Sequence, residues 1–146
     1  MMEPIRVKKL RPNAILPTYG SGGAAGADLY ACLESKVTVA PGETFWVPTG
    51  LAMEIPRGCA GLIYARSSMG TKRGLAPANK VGVIDSDYRG EIQVVLFNHS
   101  DKAQSVAPGE RIAQIVITPV VTPGYCETEK LSDTTRGAGG FGSTGK

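Results

Sequence analysis

A chain of 146 residues with 42% hydrophobic and 20% charged side chains has the composition of one folded domain, which excludes a disordered chain. The net charge of +3 is small and the basic residues are scattered, so we expect no nucleic-acid partner. No apolar run suits a signal peptide or a membrane span. We therefore expect a cytoplasmic protein without membrane contact, leaving a nuclear or organellar copy open.

The cysteines and the single histidine restrict the chemistry further. Cys32, Cys59 and Cys126 are odd in number and lack C-x-x-C spacing, which indicates free thiols instead of a disulfide framework or a zinc site. His99 follows a predicted strand in a polar turn, which argues against Ser-His-Asp and Cys-His nucleophiles. Catalysis would have to use carboxylates, arginines, backbone groups or a recruited metal.

Turn residues divide the chain into short apolar runs. The 19 glycines and 10 prolines are spread along its length, a pattern typical of many short strands. The predicted strands lie, in chain order, at 5–10, 28–32, 36–39, 44–48, 51–56, 59–65, 81–84, 91–98 and 111–118. One short helix is predicted within 67–74, started by serine capping and ended by Gly74. Regular spacing of roughly ten strands predicts an all-β, jelly-roll-like sandwich or barrel with one short helix.

The segment 81–98 contains the first catalytic candidate. Two β-rich runs flank a polar stretch dense in Asp, Ser and Gly, which predicts a hairpin. Asp85 comes directly after the first apolar run, where a carboxylate is costly unless a neighbour pairs with it or uses it.

Other polar residues have both a ligand-binding and a structural interpretation. Arg66, Ser67 and Ser68 lie at a predicted strand-to-helix junction, which suits phosphate oxygens or, equally well, a helix cap beside a surface arginine. Gln114 is a lone amide in an apolar strand and needs a partner in the protein or in a ligand. Asp28 follows a glycine-rich turn, where a carboxylate commonly caps its own backbone.

Apolar density collapses from Thr122 onward, so 122–146 is predicted to be an arm that cannot order itself. Residues 140–146 match G-x-G-x-x-G and G-x-x-x-x-G-K, but neither motif has its strand before it or its helix after it, so both are rejected. What remains is a segment rich in backbone N–H groups. It would close over an anionic, ring-bearing ligand or stay a disordered tail.

The order of these segments is more specific than any one of them. The segments 25–30, 65–68, 82–90, 109–114 and 136–143 closely resemble, in this order, the five motifs of the trimeric dUTPases. Ser68 departs from the pattern, since many members have glycine there, and a slightly different phosphate-loop geometry is the expected consequence.

The resemblance implies a jelly-roll-like homotrimer with three active sites at subunit interfaces. Residues 1–121 would form the catalytic domain, and the flexible arm 122–146 would complete a neighbouring site. The implied reaction is hydrolysis of dUTP to dUMP and pyrophosphate, with Asp85 activating the water that attacks the α-phosphorus in line. It would limit uracil incorporation into DNA and supply dUMP for thymidylate synthesis.

The resemblance also implies roles for individual residues. Uracil would be read by Asn79, Val83, Ile84, Asp85 and Gln93. Tyr88 would lie under the deoxyribose and exclude a 2′-hydroxyl. The implied phosphate contacts are Arg66, Ser67, Ser68, Gln114, Arg136, Gly142 and Ser143. Phe141 would stack on the uracil. Mg²⁺ is the expected cofactor, held by the phosphates, with no direct protein ligand and Asp28 acting through water.

Two other functions stay open on the sequence. A dCTP deaminase, or a bifunctional deaminase and diphosphatase, shares the fold but needs a glutamate base beside the pyrimidine amine, and no motif supplies one. A catalytically silent nucleotide-binding relative would be expected to lack Asp85 or the arm motif, and the chain has both.

Overall fold

The computed structural model describes residues 2–145, which contain twelve strands and one short helix. The elements are β1 (Val7–Lys9), β2 (Thr18–Tyr19), β3 (Ala27–Tyr30), β4 (Val37–Val39), β5 (Thr44–Pro48), β6 (Leu51–Met53), β7 (Cys59–Tyr64), α1 (Ser67–Lys72), β8 (Leu75–Pro77), β9 (Gly82–Ile84), β10 (Gln93–Asn98), β11 (Gln104–Val106) and β12 (Arg111–Pro119). The strands β2, β8 and β11 have only two or three residues each, too few to show a periodicity in the sequence.

Every strand pairing among the described residues is antiparallel. The largest sheet has the order β2-β3-β12-β7-β9, and a second has the order β5-β10-β8. Two small ladders, β1-β6 and β11-β4, complete the architecture. The prediction of an all-β, jelly-roll-like fold with one short helix is confirmed.

The core lies between the sheets and consists of aliphatic side chains. On β10, alternation directs Val94 and Leu96 inward, whereas Val95 and Phe97 on the opposite face are only partly buried. The strand β12 contributes Ile112, Ala113 and Ile115 to the same core. These side chains pack the central strands of the two sheets against each other.

The hairpin predicted over 81–98 is wrong. The strand β9 pairs with β7, whereas β10 pairs with β5 and β8, so residues 85–92 connect two different sheets. An Asp/Gly-rich turn composition fits a tight connection of either kind. The partners of its flanking strands are set by distant segments, which local composition does not report.

The helix is confirmed, but its predicted start is not. The N-cap residue is Arg66, which is extended and makes no side-chain capping bond, while both serines lie inside the first turn. Thr71 Oγ1 donates to the Ser67 carbonyl instead. At the other end Gly74 has φ of +67°, and a Cβ there would lie 2.6 Å from Ser100 Cβ. Glycine is therefore required where the chain leaves the helix.

The chain beyond β12 makes little contact with the sheets. The Val120 amide donates to the Gly58 carbonyl at 2.9 Å, and residues 121–145 then contain no strand or helix. Tyr125 and Phe141 in this segment are fully exposed. The predicted role of 122–146 as an arm for a neighbouring site stays a prediction.

Within residues 2–145, no helix has the length and hydrophobicity needed to span a bilayer.

Candidate active site

Asp28 is the centre of an ion-pair cluster on the five-stranded sheet. Its Oδ1 accepts a hydrogen bond from Arg66 Nε at 2.9 Å, and its Oδ2 lies 3.4 Å from Arg111 Nη1. The Asp28 side chain is 13% exposed and that of Arg66 is 24% exposed, so the pair is partly shielded from water. The carboxylate orients two guanidinium groups and does not cap its own turn.

Gln114 joins this group through strand register. It pairs with Asp28 on one side and with Tyr64 on the other. Its Nε2 donates to the Ala65 carbonyl at 3.0 Å, so the partner of this amide is the backbone directly before Arg66. A Cβ on Gly26 would lie 2.4 Å from Gln114 Oε1, so the glycine of the first motif makes room for the glutamine of the fourth. We call Asp28, Arg66, Arg111 and Gln114 the arginine cluster.

The two serines of the predicted phosphate loop lie beside this cluster. Ser67 and Ser68 are exposed in the first turn of α1, directly after Arg66. The far end of the helix is fixed by Arg73, whose guanidinium bonds Glu110 and the Ser105 carbonyl. Glu110 also accepts from the Ala107 amide at 2.9 Å. The helix is thus tied to the turn that leads into β12.

Asp85 begins a compact loop, residues 85–91, which we call the Asp85 loop. The Asp85 carboxylate is exposed, and the Asp85 carbonyl accepts from the Tyr88 amide at 3.2 Å. Tyr88 donates its hydroxyl to the Glu91 carbonyl at 2.9 Å. A Cβ on Gly90 would lie 2.6 Å from Tyr88 Cζ, so this ring lies directly over Gly90.

The residues predicted to read uracil lie around β9 and the start of β10. Asn79 is exposed in the turn before β9, and its Nδ2 faces Gly82. Val83 is exposed and Ile84 is half-buried. Gln93 is exposed at the start of β10, in register with Pro48 on the second sheet. The structure therefore brings Asn79 beside Gly82, at the start of β9, and places Gln93 on the neighbouring sheet.

The arginine cluster and the Asp85 loop lie at opposite ends of β7. Gln114 is in register with Tyr64, whereas Ile84, the residue before Asp85, is in register with Gly61. At about 3.3 Å per residue, some 13 Å of strand separates the level of Asp85 from that of Gln114. One chain does not bring these two groups to a common point.

The arm residues form a third group with its own turns. Arg136 Nε donates to the Gly139 carbonyl at 2.7 Å, and the Ser143 amide donates to the Gly140 carbonyl at 3.1 Å. Phe141 and Gly142 have φ of 53° and 86°. Within the described part of the chain, the hydrogen bonds of residues 136–145 run to partners in 134–145, and Phe141 projects into solvent.

The described residues contain no set of three or more His, Cys, Asp or Glu side chains that would hold a metal ion. Both oxygens of Asp28 face arginines. A divalent cation would therefore need its ligands from a bound phosphate chain and from water, an arrangement that suits Mg²⁺.

Sequence reasoning missed the part played by Arg111 and by the Arg73–Glu110 pair. Arg111 is in the fourth motif, but its pairing with Asp28 depends on a register shift in the β3–β12 ladder between Arg111 and Ala113. Such a bulge is set by tertiary packing, and no local signal marks it.

A family model for dUTPase matches residues 12–145, which include all five motifs. The chain belongs to the dUTPase family. It is 50% identical over 142 residues to the deoxyuridine 5′-triphosphate nucleotidohydrolase of Nautilia profundicola, covering 97% of this chain and 99% of that protein. It is 48% identical over 139 residues to the same enzyme of Hahella chejuensis, covering 94% and 91%.

Solved structures agree with the sequence comparisons. The dUTPase of Staphylococcus bacteriophage 80alpha, determined with dUpNHpp, superposes with a TM-score of 0.90 at 29% identity, covering 99% of this chain and 100% of that chain. The resemblance to the dUTPases that the five motifs indicated is therefore confirmed over nearly the whole chain.

Proposed function

We propose that this dUTPase hydrolyses dUTP to dUMP and pyrophosphate, which limits uracil incorporation into DNA and supplies dUMP for thymidylate synthesis. The family match over 12–145 carries the proposal. The arginine cluster supports it, because three motifs far apart in sequence converge there on a site for anionic groups.

Arg66 is the main phosphate ligand in this proposal. A guanidinium already oriented by a carboxylate loses little freedom when it binds phosphate oxygens. Ser67 and Ser68 lie next to it and offer hydroxyl and backbone donors to the same phosphates. Gln114 is bonded to the Ala65 carbonyl, so it supports the loop and leaves its Oε1 toward Gly26.

Asp85 acts as the general base for the attacking water. Its carboxylate is exposed at the start of the Asp85 loop, and no residue of the chain pairs with it among the described hydrogen bonds and ion pairs. A positioned base contributes roughly 10²- to 10⁴-fold to such a step. The proton of the water passes to the carboxylate as the oxygen approaches the α-phosphorus.

The uracil and the sugar are recognised at β9. Backbone groups of Val83 and Ile84, with Asn79 and Gln93, match the donors and acceptors of the uracil edge. Tyr88 lies under the deoxyribose and leaves no room for a 2′-hydroxyl. Its ring is fixed against Gly90 by the bond to the Glu91 carbonyl, so the floor it forms is rigid.

A bound Mg²⁺ would neutralise part of the triphosphate charge and orient the phosphate chain. Its ligands would come from the phosphates and from water, and Asp28 would act on the ion only through a water molecule. The protein side chains supply the remaining positive charge through Arg66 and Arg136.

The complete site needs more than one copy of the chain. The arginine cluster and Asp85 are separated along β7, and the arm of one chain turns on itself. In a homotrimer, the cluster of one subunit would face the Asp85 loop of a second. The arm of a subunit would bring Arg136, Gly142 and Ser143 to the phosphates and Phe141 to the uracil.

The direct experiment measures pyrophosphate release from a panel of deoxynucleoside triphosphates by the natural chain and by Asp85→Asn. We expect rapid release from dUTP alone, and a loss of at least about 100-fold in the variant while dUpNHpp still binds, because the amide cannot take a proton from water. Ammonia from dCTP would instead indicate a deaminase. Nucleotide binding without pyrophosphate would indicate a silent relative.

A further inference from the structure

The Asp85 loop lacks the support of a hairpin ladder. Its first end continues β9, which is paired with β7. Its second end enters β10, which belongs to the other sheet. Because no strand pairing joins the two ends, the direction of the Asp85 carboxylate depends on separate contacts at each end of the loop.

The second end is anchored on Thr49, Gly50 and Leu51, where the chain turns from β5 into β6. Thr49 Oγ1 and its amide both donate to the Ile92 carbonyl, at 2.6 and 3.2 Å. The Ile92 amide donates to the Leu51 carbonyl at 2.8 Å. Thr49 is fully buried, so this anchor is shielded from water.

Within residues 2–145, the side-chain contacts that leave the Asp85 loop are two contacts of Glu91. Its Oε2 accepts from the Gly50 amide at 2.9 Å, and its Oε1 lies 3.5 Å from Arg11 Nη2. The Glu91 side chain is 17% exposed, whereas that of Arg11 is 43% exposed. The short bond to the amide is therefore the stronger of the two contacts.

The backbone carbonyl of Glu91 has a second partner. It accepts the hydroxyl of Tyr88, and Tyr88 in turn donates its amide to the Asp85 carbonyl. Moving Glu91 would thus move the tyrosine ring and the backbone of Asp85 together. The side chain of Glu91 fixes one end of this chain of contacts, which runs Gly50, Glu91, Tyr88 and Asp85.

We propose that Glu91 is a positioning residue: by holding the Gly50 amide it fixes the second end of the Asp85 loop, and so the direction of the Asp85 carboxylate. The proposal rests on the function proposed above. It assigns the bond to Gly50, and not the charge opposite Arg11, as the contact that matters. A displacement of about 1 Å at a reacting group is enough to slow a reaction up to about 100-fold.

The test compares Glu91→Ala, Glu91→Gln and Arg11→Gln in full-length protein, with Glu54→Gln as a control that breaks the exposed Arg6–Glu54 pair. Steady-state dUTP kinetics, dUpNHpp affinity and thermal unfolding are measured for each. For Glu91→Ala we expect kcat to fall about 10-fold with KM changed less than about 3-fold. Glu91→Gln retains an acceptor for Gly50, so its kcat should be within about 3-fold of the natural chain. Arg11→Gln and the control should match the natural chain.

A kcat within twofold of the natural value for Glu91→Ala would overturn the proposal, as would equal losses in Glu91→Ala and Glu91→Gln. If Glu91→Ala fails to fold, Glu91→Asp replaces it, because its shorter carboxylate keeps the charge but not the reach to Gly50, and the same loss of kcat is expected. The natural chain and Asp85→Asn are measured in parallel, so that a failure of the proposed function can be distinguished from a failure of the role proposed for Glu91. No pyrophosphate release from dUTP by the natural chain would refute the proposed function, and a normal rate for Asp85→Asn would refute the role of Asp85 as the base. A slow rate for Asp85→Asn beside a normal rate for Glu91→Ala would refute only the role of Glu91.

Discussion

Arg66 and Arg136 are both assigned to the phosphates, yet the chain holds them in opposite ways. Arg66 is bonded to a nearly buried carboxylate on the five-stranded sheet, while Arg136 is exposed and bonds the Gly139 carbonyl three residues away. The first is oriented before any ligand binds. The second must give up a local bond and order its segment on binding, which costs conformational entropy. We infer that the sheet provides a preformed half-site and that the arm provides a half-site formed on binding.

Removing the arm, which provides the half-site formed on binding, should cause the largest loss of activity. A chain that ends at Thr135 lacks Arg136, Phe141 and Ser143 but retains every strand. Because stacking on a base contributes about 1–3 kcal/mol and the phosphate contacts add to it, kcat/KM for dUTP should fall at least about 100-fold. Thermal unfolding should stay within about 1 °C of the natural chain, since the removed residues are not packed.

A loss of stability on truncation would contradict the division, because it would show that the arm is already packed before a ligand binds. A matched control is Tyr125→Ala, which alters a fully exposed residue of the arm outside the fifth motif. That variant should keep natural kinetics if only the motif enters the site.

Asp28→Asn tests the preformed half-site, with a smaller expected loss of activity and a measurable loss of stability. It leaves Arg66 and Arg111 close together without a carboxylate between them. Breaking a buried pair costs about 3–5 kcal/mol, and partial exposure of these arginines reduces the expected cost to about 1–3 kcal/mol. We expect KM to rise about 10-fold as Arg66 loses its orientation.

The Asp28 result is read against Glu54→Gln, which breaks an exposed ion pair with Arg6. That control should change neither stability nor KM, since exposed pairs contribute about 0–1 kcal/mol. Equal behaviour of the two variants would show that the arginine cluster is an ordinary surface ion pair.

The smallest effect that we expect is a difference in thiol reactivity between Cys32, in the core, and Cys126, in the arm. Burial, partly offset by Arg11, raises the pKa of the Cys32 thiol, whereas Cys126 is exposed in the arm. At pH 8, iodoacetamide should label Cys126 at the rate of a free thiol and Cys32 at least about 10-fold more slowly. Fast labelling of Cys32 in mass-spectrometric mapping would contradict the tight packing of the core around Cys32.

The same shift predicts a pH dependence. As pH rises past the ordinary thiol pKa, the unfolded chain releases the Cys32 proton while the folded chain keeps it, so the free energy of unfolding falls with rising pH. A Cys32→Ala variant should lose that slope, which urea unfolding between pH 7 and 10 measures.

Sequence could predict most of the fold here because local patterns set it. Alternation in β10 and the Pro-Gly turn before β12 mark strands directly. The hairpin failed because β9 and β10 find their partners on β7, β5 and β8, which are distant in sequence. The serine cap failed because an extended Arg66, held by Asp28, occupies that position.

The site was predictable only in part, for a related reason. The five motifs identified the residue types and their order. Neither the pairing of Asp28 with Arg66 and Arg111 nor the anchoring of Glu91 at Gly50 leaves a local signal, because each joins segments at least 38 residues apart. The separation of Asp85 from the arginine cluster along β7 likewise follows from strand register alone.

The most direct measurement of the shared site mixes two inactive chains. Asp85→Asn and the chain that ends at Thr135 are co-expressed with different tags, and mixed assemblies are purified through both. If Asp85 and the arm of one site come from different subunits, each purified mixed trimer should contain one restored site, and dUTP hydrolysis should reappear at about a third of the natural activity. Mixed assemblies with no more activity than either chain alone would contradict the account.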